Sequence, residues 1–312
     1  DFNNAEKVVT DNIAIGDEAL NSTGANGQVG TIAIGSNALT ALTSGVQNVA
    51  IGYESGKALT TGGGNTIMGY DSFKAANGAE HSNTIIGARA GDLIDSDSCS
   101  NNVLLGCEAG RTGTGTMTYN VAIGRDAMKS IGGNTHTGTV SVGGLSLVNL
   151  SSGTGNTAVG YKSGNAMTNN NNNVIVGWEA FKTANAGESN NVIIGQSAGA
   201  SIDHADSDNN VLIGNNAGVG GAAAMSSCIV IGAEAMDSTT DQAKTGTIAI
   251  GHQSLTSLNA GDNNTAIGYK SLAEHQDQDN NTVLGYSVAS NTNGSHCADN
   301  TFIGTNTANG SW

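Results

Sequence analysis

The segment Gly195 to Gly199 reads Gly-Gln-Ser-Ala-Gly and matches the G-x-S-x-G pattern that presents a nucleophilic serine in many hydrolases. The same glycine frame recurs without a serine at Gly87 to Gly91, Gly106 to Gly110 and Gly214 to Gly218. A frame that recurs without its serine indicates a structural repeat and not a nucleophile. The histidines show no metal-ligand spacing; they are His81, His136, His204, His252, His275 and His296. We therefore expect no enzymatic activity.

Acidic side chains in two turns are the candidates for a metal ion. The first turn carries Asp95 and Asp97, and the second carries Asp203, Asp206 and Asp208. Carboxylate oxygens this close together are ligands that calcium accepts. The alternative is a solvated acidic turn that keeps the protein soluble. The sequence indicates no other cofactor.

Aromatic residues recur in adjacent segments of the chain and are the candidates for glycan contact. They are Tyr53 and Tyr70, Tyr161 and Trp178, and Tyr269 and Tyr286. Exposed aromatic rings often bind sugars, but rings in adjacent coils also stack on one another without any ligand. Both interpretations remain open at this point.

The cysteines give no metal site. Cys99, Cys107, Cys228 and Cys297 form no C-x-x-C pair, so zinc binding is not predicted. A disulfide between Cys99 and Cys107, or one between chains, stays open.

A short block recurs along the whole chain: Asn, a β-branched residue, two mostly apolar residues, and Gly. The spacing of its anchor glycines is 17 to 19 residues, which is typical of a solenoid whose coils are stable only against their neighbours. The seventeen anchors are Gly16, Gly35, Gly52, Gly69, Gly87, Gly106, Gly124, Gly143, Gly160, Gly177, Gly195, Gly214, Gly232, Gly251, Gly268, Gly285 and Gly304.

The spacings define a longer unit of six coils. Gly16, Gly124 and Gly232 lie 108 residues apart, and the intervening spacings repeat in the same order. Duplication of a six-coil unit explains this match. We predict an N-terminal segment 1–11 and one solenoid rod 12–312, with super-repeats near 12–119, 120–227 and 228–312.

The three residues before each anchor Gly predict a short strand. The first is Val, Ile or Thr in every coil and the third is Ile, Val, Leu or Met, so we expect both to fill the coil interior. The middle residue is apolar in sixteen coils, and a strand that is apolar on both faces is buried on both faces. We expect a second copy of the chain to cover the middle residues, in a parallel homotrimer. The preceding Asn, present in thirteen coils, predicts an amide ladder along the stack.

Composition agrees with an all-β repeat and excludes two kinds of partner. The chain has 46 Gly and no Pro, and only 12% of its residues are charged. Proline cannot donate to a β-ladder, so a chain paired almost everywhere has few places for it. A net charge of −15 gives no basic surface for nucleic acid, and no apolar run is long enough to insert into a membrane.

Two blocks carry a family resemblance. Asn156 to Ser163 and Asn264 to Leu272 resemble the "NTAxGYxAL" repeats of phage tail-fibre proteins, and Asn120 to Gly124 is similar to the "SVAIG" repeat of YadA-like trimeric autotransporter heads. The resemblance covers residues 12–308 and implies a trimeric β-roll, located outside a cell, on its surface or on a virion. The autotransporter repeats are shorter, near fourteen residues, so the coil outline is expected to differ.

These observations predict a β-solenoid, of β-roll or β-helix type, that serves as a structural or adhesive fibre segment. Its expected partners are its own copies and a cell-surface glycan or protein receptor, as in a tail fibre or surface adhesin. One alternative is a subunit of an end-to-end extracellular filament. A lesser alternative is an ice-binding solenoid; this needs a repeated Thr face, but Thr occupies the first strand position in only six coils, where we expect it to point inward.

Overall fold

The structure is a computed structural model that describes residues 10–22, 28–111, 113, 115–130, 134–185, 187–238, 242–274, 279–290 and 298–307. The chain divides into two compact units, residues 1–155 and 156–312, which we describe separately. Most of the predicted N-terminal segment, and also Cys297, His275 and His296, lie outside the described residues.

The first unit is a stack of parallel strands. Each three-residue strand pairs with the corresponding strand of the next coil, so that Val49 lies beside Thr66 and Thr66 beside Thr84. A second, shorter ladder pairs Met117 with His136. The strands are β1 (Ile13–Ile15), β2 (Ile32–Ile34), β3 (Val49–Ile51), β4 (Thr66–Met68), β5 (Thr84–Ile86), β6 (Val103–Leu105), β7 (Met117–Thr118), β8 (Val121–Ile123), β9 (His136–Thr137) and β10 (Val140–Val142).

The second unit repeats this arrangement. Val174 pairs with Val192 and Val192 with Val211, and a short ladder pairs Met225 with Lys244. Its strands are β11 (Thr157–Val159), β12 (Val174–Val176), β13 (Val192–Ile194), β14 (Val211–Ile213), β15 (Met225–Ser226), β16 (Ile229–Ile231), β17 (Lys244–Thr245), β18 (Ile248–Ile250), β19 (Thr265–Ile267), β20 (Thr282–Leu284) and β21 (Thr301–Ile303). The predicted all-β parallel solenoid is confirmed in each unit.

The prediction of which strand face fills the coil was wrong. The middle residue of the three-residue strands is buried from β2 to β20; Ala50 and Leu104, for example, are 0% exposed. The first and third residues lie on the opposite face and are partly exposed, as Met68 (41%) and Val174 (38%) show. The coil interior is narrow and is also filled from the turn after the anchor Gly. The middle residue and the turn residues therefore suffice, and the larger β-branched pair faces outward.

The core of each coil joins the strand to this turn. The turn supplies a small residue three positions after the anchor Gly, and large side chains such as Leu39, Leu42 and Phe73, all of which are fully buried. Because each coil has so few core positions, a single substitution removes a large share of its packing.

The anchor glycines are required by the close approach of neighbouring coils. At Gly87 φ is +142°, and an added Cβ would lie 2.3 Å from the carbonyl oxygen of Gly106. A side chain there would collide with the backbone of the next coil and would also strain φ. The glycine therefore permits stacking as well as the bend expected from the sequence.

The predicted Asn ladder is confirmed. The Asn83 Oδ1 accepts hydrogen bonds from the backbone N–H (3.0 Å) and the side-chain amide (2.9 Å) of Asn102. The Asn83 Nδ2 donates to the Cys99 carbonyl at 3.1 Å. Every amide thus satisfies a backbone group of its neighbour. At Thr31 and Thr139, where Thr replaces Asn, the hydroxyl is buried and has no partner among the described residues.

Candidate functional site

The position directly after the anchor Gly places aromatic rings on the surface of each unit. In the first unit Tyr53 and Tyr70 stack with ring centroids 5.4 Å apart and planes inclined by 12°. Both rings are about half exposed. We call this pair the first aromatic ladder. Stacking follows from the strand register, since equivalent positions of adjacent coils lie about 4.8 Å apart.

The second unit carries two further ladders. The second aromatic ladder is Tyr161 and Trp178, with centroids 4.5 Å apart and a tilt of 34°. The Lys162 Nζ lies 5.3 Å from the Tyr161 ring centroid, within cation–π range. The structure therefore brings together the predicted aromatic residues in pairs, and ring stacking between adjacent coils is confirmed.

The third aromatic ladder is longer than the sequence predicted. His252 stacks on Tyr269 at 5.6 Å and 6°, and Tyr269 stacks on Tyr286 at 5.1 Å and 14°. The Lys270 Nζ lies 5.5 Å from the Tyr269 centroid. We missed His252 because we searched this position for Tyr and Trp only. Its place directly after Gly251 was the available signal.

Concave surfaces lie beside two of the ladders. In the first unit a groove of about 640 Å³ has a floor of Ala41, Ala58 and Ala75, with Lys57 and Lys74 on its edge. In the second unit a smaller concavity of about 420 Å³ is lined mainly by polar side chains; these are Gln253, Thr256, Ser257, Lys270, Glu274 and Ser290. Volumes of this order are typical of small-ligand sites.

Ion pairs fix the charged side chains beside the first ladder. The Glu54 carboxylate contacts Lys57 (2.7 Å) and also Lys74. Hydrogen bonds from Lys57 and Lys74 lower the pKa of Glu54 from 4.5 to about 2. Further along, Lys129 contacts Glu108 at 2.6 Å. Because these cations are already paired with carboxylates, they are poor candidates for holding an anionic ligand.

The candidate calcium ligands mostly bind their own backbone. The Asp208 Oδ1 accepts the Ser189 N–H at 2.6 Å, and the Asp203 Oδ1 accepts the Asn185 N–H at 3.3 Å. Asp206 lies beside His204, and Asp95 and Asp97 occupy a separate turn in the first unit. In the part of the chain that the structure describes, no three His, Cys, Asp or Glu side chains are grouped to hold a metal ion.

The G-x-S-x-G segment is one more repeat of the turn. The Ser197 N–H donates to the Trp178 carbonyl at 2.9 Å, just as the Arg89 N–H donates to the Tyr70 carbonyl at 2.8 Å. Cys99 and Cys228 are buried, Cys107 is exposed, and all three are free thiols. The disulfide left open between Cys99 and Cys107 is therefore absent.

Buried ionisable side chains, which the sequence did not flag, close turns inside the coils. The Glu80 Oε2 accepts the Gly78 N–H at 3.0 Å, and burial raises the pKa of Glu80. Glu188, one super-repeat later, accepts the Asn170 side-chain amide at 2.6 Å. The two His136 ring nitrogens lie 3.1 and 3.2 Å from backbone carbonyl oxygens, and burial lowers the pKa of His136. None of these side chains is accessible to a ligand from solvent.

The fold and the exposed ladders define a parallel β-solenoid repeat protein. No protein-family model, curated protein or solved structure matches the chain. Within the described residues there is no helix with the length and hydropathy needed to cross a lipid bilayer.

Proposed function

We propose that the chain is a structural, adhesive segment of an extracellular fibre, displayed on a cell surface or a virion, and that three copies associate in parallel. The observation that carries this proposal is an apolar strip on the outer face of the strands. We define the outer stripe as the first and third residues of every three-residue strand. Nothing in this role requires catalysis, and the proposal includes none.

The outer stripe is apolar and partly exposed along each unit. In the first unit Ile15 is 58% exposed and Ile86 37%; in the second, Ile194 is 36% and Leu284 45% exposed. Every first position is Val, Ile or Thr, and every third is Ile, Val, Leu or Met, so no charge interrupts the stripe. Contiguous apolar surface of this kind marks an interaction site.

A second copy of the chain is the occupant that fits the stripe best. Its side chains repeat about every 4.8 Å, so a partner must present the same period to match it coil by coil. A parallel copy does so automatically. The first unit alone has eight such strands, hence sixteen outer-stripe side chains. Completing their burial would contribute roughly 0.5–1 kcal/mol each, about 8–16 kcal/mol in total, which is comparable to the entropy cost of association.

Closure of the assembly decides the number of copies. An interface that joins different surfaces of two identical chains either closes into a ring or continues as a filament. The resemblance to tail-fibre and autotransporter repeats implies a ring of three. The attachment role rests on that resemblance and on the aromatic ladders, which lie on a different surface from the outer stripe and would stay accessible in the trimer.

Native mass spectrometry at micromolar concentration tests the assembly. We expect a particle of three times the 31.1 kDa chain mass. The double variant Ile86→Asp/Ile123→Asp places two charges in the stripe and should dissociate it. Tyr119→Asp, at an exposed turn residue outside the stripe, is the matched control and should not. A wild-type mass of one chain rejects self-association, and any other number rejects the trimer.

Ice binding is favoured by one correction. The sequence led us to expect inward-pointing threonines, whereas the structure places Thr265, Thr282 and Thr301 on the outer face of successive strands, with Thr282 and Thr301 exposed. Elsewhere the same row is mostly Val and Ile. Thermal hysteresis of the purified protein measures this activity directly, and its absence removes the candidate.

A further inference from the structure

We propose that the third aromatic ladder and the adjoining polar concavity form one binding site for a neutral, hexose-containing oligosaccharide. This inference rests on the adhesive half of the proposed function and identifies the class of ligand. The structural basis is that the same coils supply both surfaces. Gln253 directly follows His252, Lys270 directly follows Tyr269, and both side chains line the concavity.

The two surfaces supply the two kinds of contact that a sugar requires. A hexose ring has apolar C–H faces, which pack on aromatic rings, and hydroxyl edges, which need hydrogen-bonding partners. The ladder supplies exposed rings, with Tyr286 53% exposed. The concavity supplies hydroxyl groups from Thr256 and Ser257 together with an amide, an amine and a carboxylate. Apolar ligands would leave those polar groups unpaired.

One ring face at the end of the ladder is available for packing. Ala233 precedes His252 in the stack, because Ile231 pairs with Ile250 and each lies two residues before the position in question. The Gln253 N–H donates to the Ala233 carbonyl at 3.0 Å, which fixes this adjacency. A methyl group cannot cover an imidazole ring. The His252 face turned toward Ala233 is therefore open to a sugar ring.

Charge favours a neutral glycan over an anionic one. The concavity contains one cation, Lys270, and one carboxylate, Glu274, so its lining has no net charge. The chain as a whole has a net charge of −15, which repels acidic polysaccharides at long range. Among the described residues Lys270 forms no ion pair, so its amine is available to donate to hydroxyl groups.

The other two ladders lack this combination. Beside the first ladder the groove has an alanine floor, and its lysines are engaged by Glu54 and Asp71. Beside the second ladder Lys162 lies 3.9 Å from Glu179, which also pairs with Lys182. These ladders have the rings without free polar partners, and they therefore serve as internal controls.

Isothermal titration calorimetry on the full chain tests the proposal, with cellohexaose, maltohexaose and mannohexaose as neutral probes and polygalacturonate as the acidic probe. We expect at least one neutral probe to bind, and Tyr269→Ala/Tyr286→Ala to weaken it about tenfold or more. Tyr53→Ala/Tyr70→Ala should leave the affinity unchanged. Lys270→Met retains the aliphatic stem and should also weaken binding, whereas Lys162→Met should not.

Three results would overturn the site: no neutral probe bound at concentrations on the order of 10 mM, tighter binding of polygalacturonate, or equal losses in the first- and third-ladder variants. Circular dichroism and native mass accompany each variant. If the ladder pair unfolds, the Lys270→Met and Lys162→Met comparison decides alone. A trimer that binds no neutral probe rejects this inference and leaves the proposed assembly standing.

Discussion

Two adjacent isoleucines of β13 offer a direct test of the inward and outward assignment. Ile193 is fully buried, while Ile194 is 36% exposed on the outer stripe. Ile193→Ala removes buried methyl groups and leaves a cavity in a narrow core, which should cost about 2–5 kcal/mol. In an isolated chain Ile194→Ala removes contacts that water already shares, and should cost roughly 1 kcal/mol.

Self-association changes the second number but not the first. If a second copy covers the outer stripe, Ile194 becomes buried in the assembly, and the cost of Ile194→Ala rises with protein concentration. Ile193 is enclosed in its own coil, so its cost should not depend on concentration. The pair of substitutions thus separates packing within a coil from packing between chains.

Urea unfolding followed by circular dichroism, at protein concentrations of about 1 and about 100 μM, measures both effects. A solenoid can unfold in parts, so hydrogen exchange of the β12 to β14 amides should accompany the midpoints. A larger loss for Ile194→Ala than for Ile193→Ala in the dissociated chain would refute the face assignment. A concentration-independent cost at Ile194 would refute burial of the stripe between copies.

Three further predictions follow from individual contacts. Asn102→Ala should lower stability by about 1–3 kcal/mol, because the Asn120 N–H and the Met117 carbonyl lose buried partners; the urea midpoint reports it. The pKa of Glu54 is lowered from 4.5 to about 2, so its contribution to stability is present above pH 4.5 and is lost as the pH falls toward 2. Glu54→Gln should therefore show a smaller loss of urea midpoint between pH 7 and pH 3 than the wild type. Burial raises the pKa of Cys228 to about 11, so iodoacetamide at pH 8 should label exposed Cys107 in the native protein and Cys228 only after unfolding, as peptide mass spectrometry would show.

Much of the fold could be predicted from the sequence because its determinants are local and periodic. The β-branched triplets predicted the strands, and the recurring Asn predicted an amide ladder that the Asn83 to Asn102 hydrogen bonds confirm. The interval of 108 residues predicted equivalent positions, such as Glu80 and Glu188, which both form turn-closing hydrogen bonds. Each signal needs only the residue and its neighbours one coil away.

The candidate site was harder to predict because it depends on surfaces that coils build jointly. Tyr269 and Tyr286 were visible as a repeated aromatic position, but His252 was not, since a histidine alone gives no such signal. The polar concavity combines Gln253 and Lys270 with side chains from later in the turn. Whether such positions form a groove depends on side-chain conformation and on the size of each floor residue, and periodicity describes neither.

The inward face could have been identified from the volumes of residues within each coil. Where the middle strand residue is small, the fourth residue after the anchor Gly is often large, as in Ala33 with Leu39. Where the middle residue is large, the fourth is often Gly, as in Leu104 with Gly110. An added Cβ at Gly110 would lie 2.6 Å from Leu104 Cδ2, so the two positions compete for the same space. Residues that exchange volume across a coil must share its core, because only a close-packed interior imposes a fixed sum. The first and third strand residues keep a similar size in every coil, which is what a flat surface repeated for contact with another chain requires.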